Sequence, residues 1–324
     1  RSRGLGDVYK RQAMLSSSIG FLLLTFASNL YLTTLTLVVT EAASALFLIG
    51  SKAIISENLP VGERAKVFSL RYTLTNVGYA TGPMLGVLIA GQLPWAPFLI
   101  ASAIAFGSLF LMIGIAPTQR DDSHKPQSFL STLRTLRNDR TLILFTSGSL
   151  LSTIVHGRYT LYLSQFLLVA YKPAEALKIL SAVLACNAIT VILMQYQIGR
   201  FLKREQLRYW IVLGTLLFIA GLVGFSQANS LLSWCLAMFV FTLGEMIIYP
   251  SEFLFIDTIA PDALRGSYYG AQNLAAFGGA LSPVICGYLL INAAPTSMFF
   301  ALAALTAIGG TLCFLSGRRV AGSC

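Results

Sequence analysis

Three charged residues sit inside long apolar runs: Glu41, Arg158 and Glu245. A charge in such a run is costly and faces a polar cavity or a partner. The Glu245 carboxyl can take up and release a proton, or act as counter-ion to a cationic group. Arg158, in the string IVHGRYTLYLSQ, can hold a carboxylate or pair with Glu41 or Glu245. Its neighbour Gly157 permits a local break in the helix, as where a helix lines a site. Glu245, Tyr249 and Glu252 follow i, i+4, i+7 spacing and share one helix face. Tyr159, Gln165, Asn187 and Gln195 are uncharged polar residues within apolar runs. Each suits a cavity wall or an interhelical hydrogen bond. His156 can titrate, but a single histidine in such a run is more often packed and hydrogen-bonded.

Enzyme chemistry finds no residues to work with. There is no Walker loop, zinc spacing or nucleophile elbow, and two histidines are too few for a His-based metal cluster. The five cysteines include no C-x-x-C pair and read as small apolar fillers. The expectation is a non-enzyme with no cofactor and no metal.

The elements that must position these residues follow from composition. Hydrophobic residues make up 56% of the chain and charged residues 11%, with a mean hydropathy of +0.72. A soluble domain carries roughly 25% charged residues to wet its surface. The solvent here must be lipid. Ten stretches have the ~20 mostly apolar residues that cross a hydrocarbon core: 13–29, 32–55, 67–90, 95–116, 142–168, 177–197, 208–227, 231–255, 267–291 and 297–316. Trp95, Trp210 and Trp234 fall at span starts, where an amphipathic ring suits the headgroup level.

A net charge of +10 first suggests nucleic acid. The basic residues instead cluster between the apolar runs, which argues against that partner. Of the 23 Lys and Arg, 20 fall in the two tails and in alternate loops; Lys172 and Lys178 lie on the opposite side and Arg158 inside a span. The positive-inside rule then places both termini in the cytoplasm, as expected for a multi-pass protein of a bacterial inner membrane. The polar segment Pro117–Arg140 divides four spans from six, and its Ser-Phe-Leu-Ser-Thr-Leu-Arg portion has the spacing of a surface helix. The expected organisation is a cytoplasmic or non-native lead (1–12), a four-helix partial bundle (13–116), a linker (117–140), a six-helix bundle (141–317) and a tail (318–324).

An internal repeat links the halves. At a constant offset Pro60 matches Pro261, Arg64 matches Arg265, Phe68 matches Tyr269, Gly78 matches Gly279 and Gly86 matches Gly287. Both copies run in the same direction, which makes the halves parallel repeats with a substrate site between them. Equal halves would hold six spans each, and residues 1–12 lack an initiator Met and an apolar run. The chain thus reads as a transporter whose first two spans of twelve are missing, with a natural ten-span protein as the alternative.

The chain resembles the major facilitator superfamily, and within it the bacterial drug:proton antiporters that export drugs or small peptides. The sharpest element is NVGYATGPMLGVLIAG, where Gly78, Gly82, Pro83 and Gly86 match the antiporter motif of the family's fifth helix, with Val87 departing from it. QIGRFLKREQLRYWIVLG is similar to the second-half loop motif, with Gly199, Arg200, Lys203 and Arg204 in the matching places. TLGEMIIYPSEFLFIDTIAPDALRGSYYGAQ resembles the tenth and eleventh helices of such exporters. The family's fourth-helix arginine has no counterpart, since span 32–55 carries Glu41 and no Arg.

The resemblance implies an all-α bundle working as a monomer. It implies a secondary transporter by alternating access, exporting drugs or small amphipathic metabolites against protons. Import of a sugar or peptide, or a sensor that moves nothing, are the alternatives. Gly78, Gly82 and Gly86 form an i, i+4, i+8 stripe for close helix approach, and Pro83 loosens the helix there. Arg200, Lys203, Arg204, Glu252 and Arg265 are the expected cytoplasmic gate, with Glu252 within reach of Arg200 or Arg204.

Overall fold

The computed structural model describes residues 5–27, 29–113 and 129–321. The start of the lead, most of the linker as far as residue 128, and the side chains of the tail from residue 318 lie outside the described residues. Every regular element among those described is a helix. In order they are α1 (Leu5–Thr25), α2 (Leu30–Asn58), α3 (Val61–Ala90), α4 (Ala96–Ile113), α5 (Phe129–Asn138), α6 (Arg140–His156) and α7 (Tyr159–Ala170). Then come α8 (Pro173–Phe201), α9 (Leu207–Gln227), α10 (Leu231–Ile259), α11 (Arg265–Gln272), α12 (Ala276–Asn292) and α13 (Ser297–Ala321).

Within the described residues each of the ten expected spans is helical over most of its length. Six helical runs are long and apolar enough to cross a membrane: α2, α8, α10, α13, α9 with its preceding 3-10 turn, and the run from Asp262 to Asn292. The span expected at 142–168 is two helices, because the chain leaves helical geometry at Arg158 (φ −144°, ψ 38°). α5 is the short amphipathic helix read from the linker, with Leu130 and Leu133 exposed beside Arg134 and Arg137.

Capping residues fix several ends. Asn29 accepts from Leu32 N at 2.8 Å to start α2. Ser230 and Ser233 form a reciprocal capping box on α10. Asp139 caps α6 by accepting from Thr141 N and Leu142 N, while its second oxygen accepts from the Tyr268 hydroxyl at 2.7 Å. One carboxylate thereby ties the start of α6 to α11.

Contacts divide the chain into two units. The first comprises Arg1–Leu59 and Gly78–Pro126; the second comprises Pro60–Val77 and Gln127–Cys324. In the first, α1 packs on both α2 and α4. Ser18 and Ser102 lock α1 to α4 by exchanging hydroxyl-to-carbonyl bonds of 3.1 and 2.8 Å. In the second, α9 pairs with α10, α6 with α12 and α13, and α8 with α7 and α10. The first half of α3 belongs to this second unit.

α10 is the hub of the second unit: 56% of its apolar window is buried, against 17% for α2. Trp234 near its start is buried among Phe166, Phe225 and Phe299 and donates to the Tyr171 hydroxyl at 3.4 Å. An aromatic cluster was available to enclose it, whereas Trp95 remains exposed.

Candidate functional site

α10 carries its chemistry on a single stripe. Glu245, Tyr249, Phe253 and Asp257 recur every fourth residue, which keeps them on one face. Against that stripe runs the first half of α3 in the opposite direction, with Arg64, Phe68 and Tyr72 also spaced by four. The two stripes meet rung by rung. Arg64 pairs with Asp257. The Phe68 and Phe253 rings are 5.5 Å apart, and the Tyr72 and Tyr249 rings 4.3 Å apart.

The innermost rung is the acid. Glu245 is buried, about fourteen residues into α10, or roughly 21 Å along it at 1.5 Å per residue. Asn187 of α8 donates to its carboxylate at 2.9 Å and shares a second contact with the Thr242 hydroxyl at 3.0 Å. The Tyr72 hydroxyl points toward the same carboxylate from α3 without reaching hydrogen-bond geometry. His156 lies nearby, stacked on Phe218 at 5.5 Å and edge-on to Tyr249 at 6.5 Å. Among the described residues no cation pairs with Glu245.

Outside the acid lies an apolar and aromatic plug. Tyr72, Val191 and Met246 are buried together, with Met194, Ile198, Leu243 and Tyr249 packed on them. Gln195 pins α8 to α10 by donating to the Met246 carbonyl at 3.1 Å. Phe253 is held from several sides: by Phe68, by the Arg71 guanidinium at 5.8 Å from its ring centre, and by the Tyr269 hydroxyl, which donates to its carbonyl at 3.3 Å.

The outermost rung is ionic. Asp257 occupies the last turn of α10, where the helix dipole disfavours a carboxylate. Two guanidiniums offset that cost: Arg64, and Arg265, whose Nε stands 3.8 Å from the other oxygen. The Asp257 side chain is 2% exposed and Arg64 8%, so the pair is closed off from water. Arg265 also pairs with the exposed Asp262 at 2.7 Å. Arg64 and Arg265 are repeat mates, as are Phe68 and Tyr269. Both copies of the repeat therefore converge on Asp257 and Phe253. The repeat carries the signal for the two arginines but not for Asp257, which has Ser56 opposite it in the other copy.

Close approach of α3 to α8 depends on Gly199. A Cβ there would run into the Ser69 side chain. The glycine of the loop string thus has a direct packing reason.

Several expected residues stand elsewhere. Arg158 is exposed at the α6–α7 break and, among the described residues, does not pair with Glu245; Asn187 has the position by Glu245 that a cation was expected to take. Glu41 is exposed on α2. Arg204 does not reach Glu252: its guanidinium donates to the hydroxyl and carbonyl of Thr258 at 2.8 and 3.3 Å. Glu252 instead lines a small cavity with Ser152, Thr215 and Cys313, on the side of α10 away from α3. Tyr159 packs on Phe241 of α10 at 5.7 Å, and the Gln165 side-chain oxygen is enclosed without a partner among the described residues. A Cβ on Gly78, Gly82 or Gly86 meets nothing within 4 Å among the described residues. α3 continues as helix through Pro83, whose side chain lies outside the described residues.

A family model described as Major Facilitator Superfamily matches residues 5–283. The chain belongs to that superfamily. An uncharacterized MFS-type transporter of Escherichia coli (strain K12), YdeE, is 34% identical over 313 residues, covering 96% of this chain and 79% of the relative. Another, YqjV of Bacillus subtilis (strain 168), is 26% identical and covers 94% of this chain and 77% of its own. Among solved structures the E. coli fucose:proton symporter FucP superposes with a TM-score of 0.74 at 16% identity, covering 96% of this chain and 84% of that one. The human organic anion transporter MFSD10 gives 0.67 at 14% identity, covering 95% of this chain and 77% of its own. These likenesses establish the major-facilitator fold, an all-α membrane bundle, and place the chain among secondary transporters.

Proposed function

We propose that this superfamily member is a proton-coupled antiporter that exports cationic or amphipathic small molecules from a bacterial cytoplasm. The observation that carries the reading is Glu245. It is a buried carboxyl on the hub helix, hydrogen-bonded to Asn187 at 2.9 Å and facing no cation among the described residues. A carboxylate in a membrane interior needs a proton on it or a cation beside it. When proton and substrate compete for one such group, binding one displaces the other, and exchange follows. A relative 22% identical to this chain is a Na(+), Li(+), K(+)/H(+) antiporter of Planococcus maritimus, which supports exchange against protons.

The α3–α10 ladder supports the second half of the reading. Its rungs run from Glu245 out to the ionic clamp at the basic end of the bundle, the end the positive-inside rule puts in the cytoplasm. A carboxyl stoppered by two aromatic rungs and one ionic rung has a closed cytoplasmic gate. Release of Arg64 from Asp257 is then a step in opening toward the cell interior.

The test uses the chain in proteoliposomes with an imposed pH gradient and a panel of fluorescent cationic dyes. Dye movement that requires the gradient and disappears in Glu245→Gln supports the reading. Uptake driven in the direction of the proton gradient would make the protein an importer. Dye binding with no flux across the whole panel would leave a sensor that kept the fold.

A further inference from the structure

Beyond the ionic clamp, at the same basic end, lies a cavity of about 380 Å³. Its size falls in the range that small-ligand sites occupy, roughly 300 to 1,000 Å³. Its walls come from the start of α3 (Val61, Gly62, Ala65, Lys66), from the α8–α9 turn, and from Leu254 and Asp257 of α10. The last turn of α8 contributes Arg200, and the turn after it Lys203, Arg204 and Glu205. Four cations thus face one cavity with two carboxylates, and one of those, Asp257, is already shared by Arg64 and Arg265. Among the described residues Lys66 pairs with the exposed Glu63 at 3.3 Å. Arg200, Lys203 and Arg204 have no carboxylate within ion-pair distance among the described residues.

Three like charges within five residues repel one another, and the protein holds one of them in place. Arg204 is fixed by two bonds to Thr258, at 2.8 and 3.3 Å, so its guanidinium is positioned before any ligand arrives. Neighbouring Gly199 lets α3 come close, which brings Lys66 across from the turn. Four cations around one cavity, one of them held in place and three of them without an ion pair among the described residues, match an anion with several acceptor oxygens.

We propose that this cavity binds a phosphate group, presented either by an anionic lipid headgroup or by a soluble phosphorylated solute. Leu202, Leu254 and Val61 give the cavity an apolar side that suits the glycerol end of a lipid. A phosphate seated there joins Lys66 on α3 to Arg200 at the end of α8 and to Lys203 and Arg204 on the turn. It thereby braces the Arg64–Asp257 contact and holds the cytoplasmic end shut, a consequence that rests on the gate reading above, while the binding itself does not.

The test is binding by the full chain in neutral detergent, read as the shift in unfolding temperature. The probes are inorganic phosphate, short-chain phosphatidylglycerol, and short-chain phosphatidylcholine as the zwitterionic control. The variant is Arg200→Gln with Lys203→Gln, both on exposed side chains. Arg134→Gln with Arg137→Gln on α5 removes the same charge elsewhere. A saturable rise with phosphate or phosphatidylglycerol is expected, weakened roughly tenfold or more in the turn variant and kept in the α5 variant. Response to phosphatidylglycerol alone assigns the lipid, and response to phosphate assigns a soluble solute. No saturable response to either, a response equal to that with phosphatidylcholine, or an equal response in the turn variant overturns the site. Loss of dye transport has no bearing on this readout, so the two proposals fail separately.

Discussion

Arg64 and Asp257 form a buried ion pair across 193 residues of sequence. Removing one partner from such a pair strands the other charge away from water, which costs about 3–5 kcal/mol. Asp257→Asn is therefore expected to lower the unfolding temperature strongly, because it abandons the 8%-exposed Arg64. Arg265→Gln is expected to cost less, about 1 kcal/mol or below, since Arg265 stands 3.8 Å from the carboxylate and leans on an exposed acid. Unfolding scans of the two variants in one detergent give the order. Equal losses would mean that the two guanidiniums share the clamp evenly.

The clamp also predicts an accessibility change. Ser69 is fully buried where α3 passes Gly199. On the proposed orientation, Ser69→Cys should label slowly with a membrane-impermeant thiol reagent from the cytoplasmic side. Adding Arg64→Gln should speed that labelling. Labelling that is fast before Arg64 is removed would show that α3 does not seal this end.

Gly199 offers a reciprocal pair. Gly199→Ala puts a methyl into the Ser69 side chain, and overpacking of this kind costs about 1–3 kcal/mol. Ser69→Gly in the same chain removes both atoms the methyl strikes. The double variant should recover most of the unfolding temperature lost by the single one. A double variant no better than Gly199→Ala would place the strain elsewhere on the α8 backbone.

The lipid-facing helices are open to reading because hydropathy and basic loops act locally, and within the described residues each expected span is helical over most of its length. The repeat was visible for the same reason: Arg64 and Arg265 sit in copies of one pattern. That both arginines meet at Asp257 was not visible, because convergence depends on how α3 and α11 pack on α10. Arg158 shows the opposite failure. Its place within an apolar run suggests burial, but the chain leaves helical geometry at Arg158 itself and the side chain is exposed. Glu252 lies seven residues from Glu245, within about 20° of it in helical phase, yet it lines the cavity with Ser152, Thr215 and Cys313 of α6, α9 and α13. A backbone break decided the first case and the packing of neighbouring helices the second, and neither is carried by residue spacing alone.

Glu245→Gln keeps the size of the side chain and an acceptor for Asn187, so its unfolding temperature should move little. It cannot exchange a proton or balance a cation. Dye exchange driven by a pH gradient should vanish, while substrate-independent stability remains. Asn187→Leu tests the support: it deletes a buried bond to the carboxyl, worth about 1–3 kcal/mol, and should shift the pH profile of exchange rather than abolish it. A pH profile identical to that of the parent chain would remove Asn187 from the coupling site.

The glycine stripe of α3 separates packing from motion. A Cβ at Gly82 meets nothing within 4 Å, and alanine is favoured over glycine in a helix interior by about 0.5–1 kcal/mol. Gly82→Ala should therefore unfold at the same or a slightly higher temperature. If the stripe serves close helix contact only in the opposite gate state, the same methyl must obstruct that state. Exchange should then slow while stability holds, and bulkier Gly82→Val should slow it further. Both rates staying at the parent value would mean that the stripe is never covered during the cycle, and that the resemblance of Gly78, Gly82 and Gly86 to an antiporter motif carries no transport role in this chain.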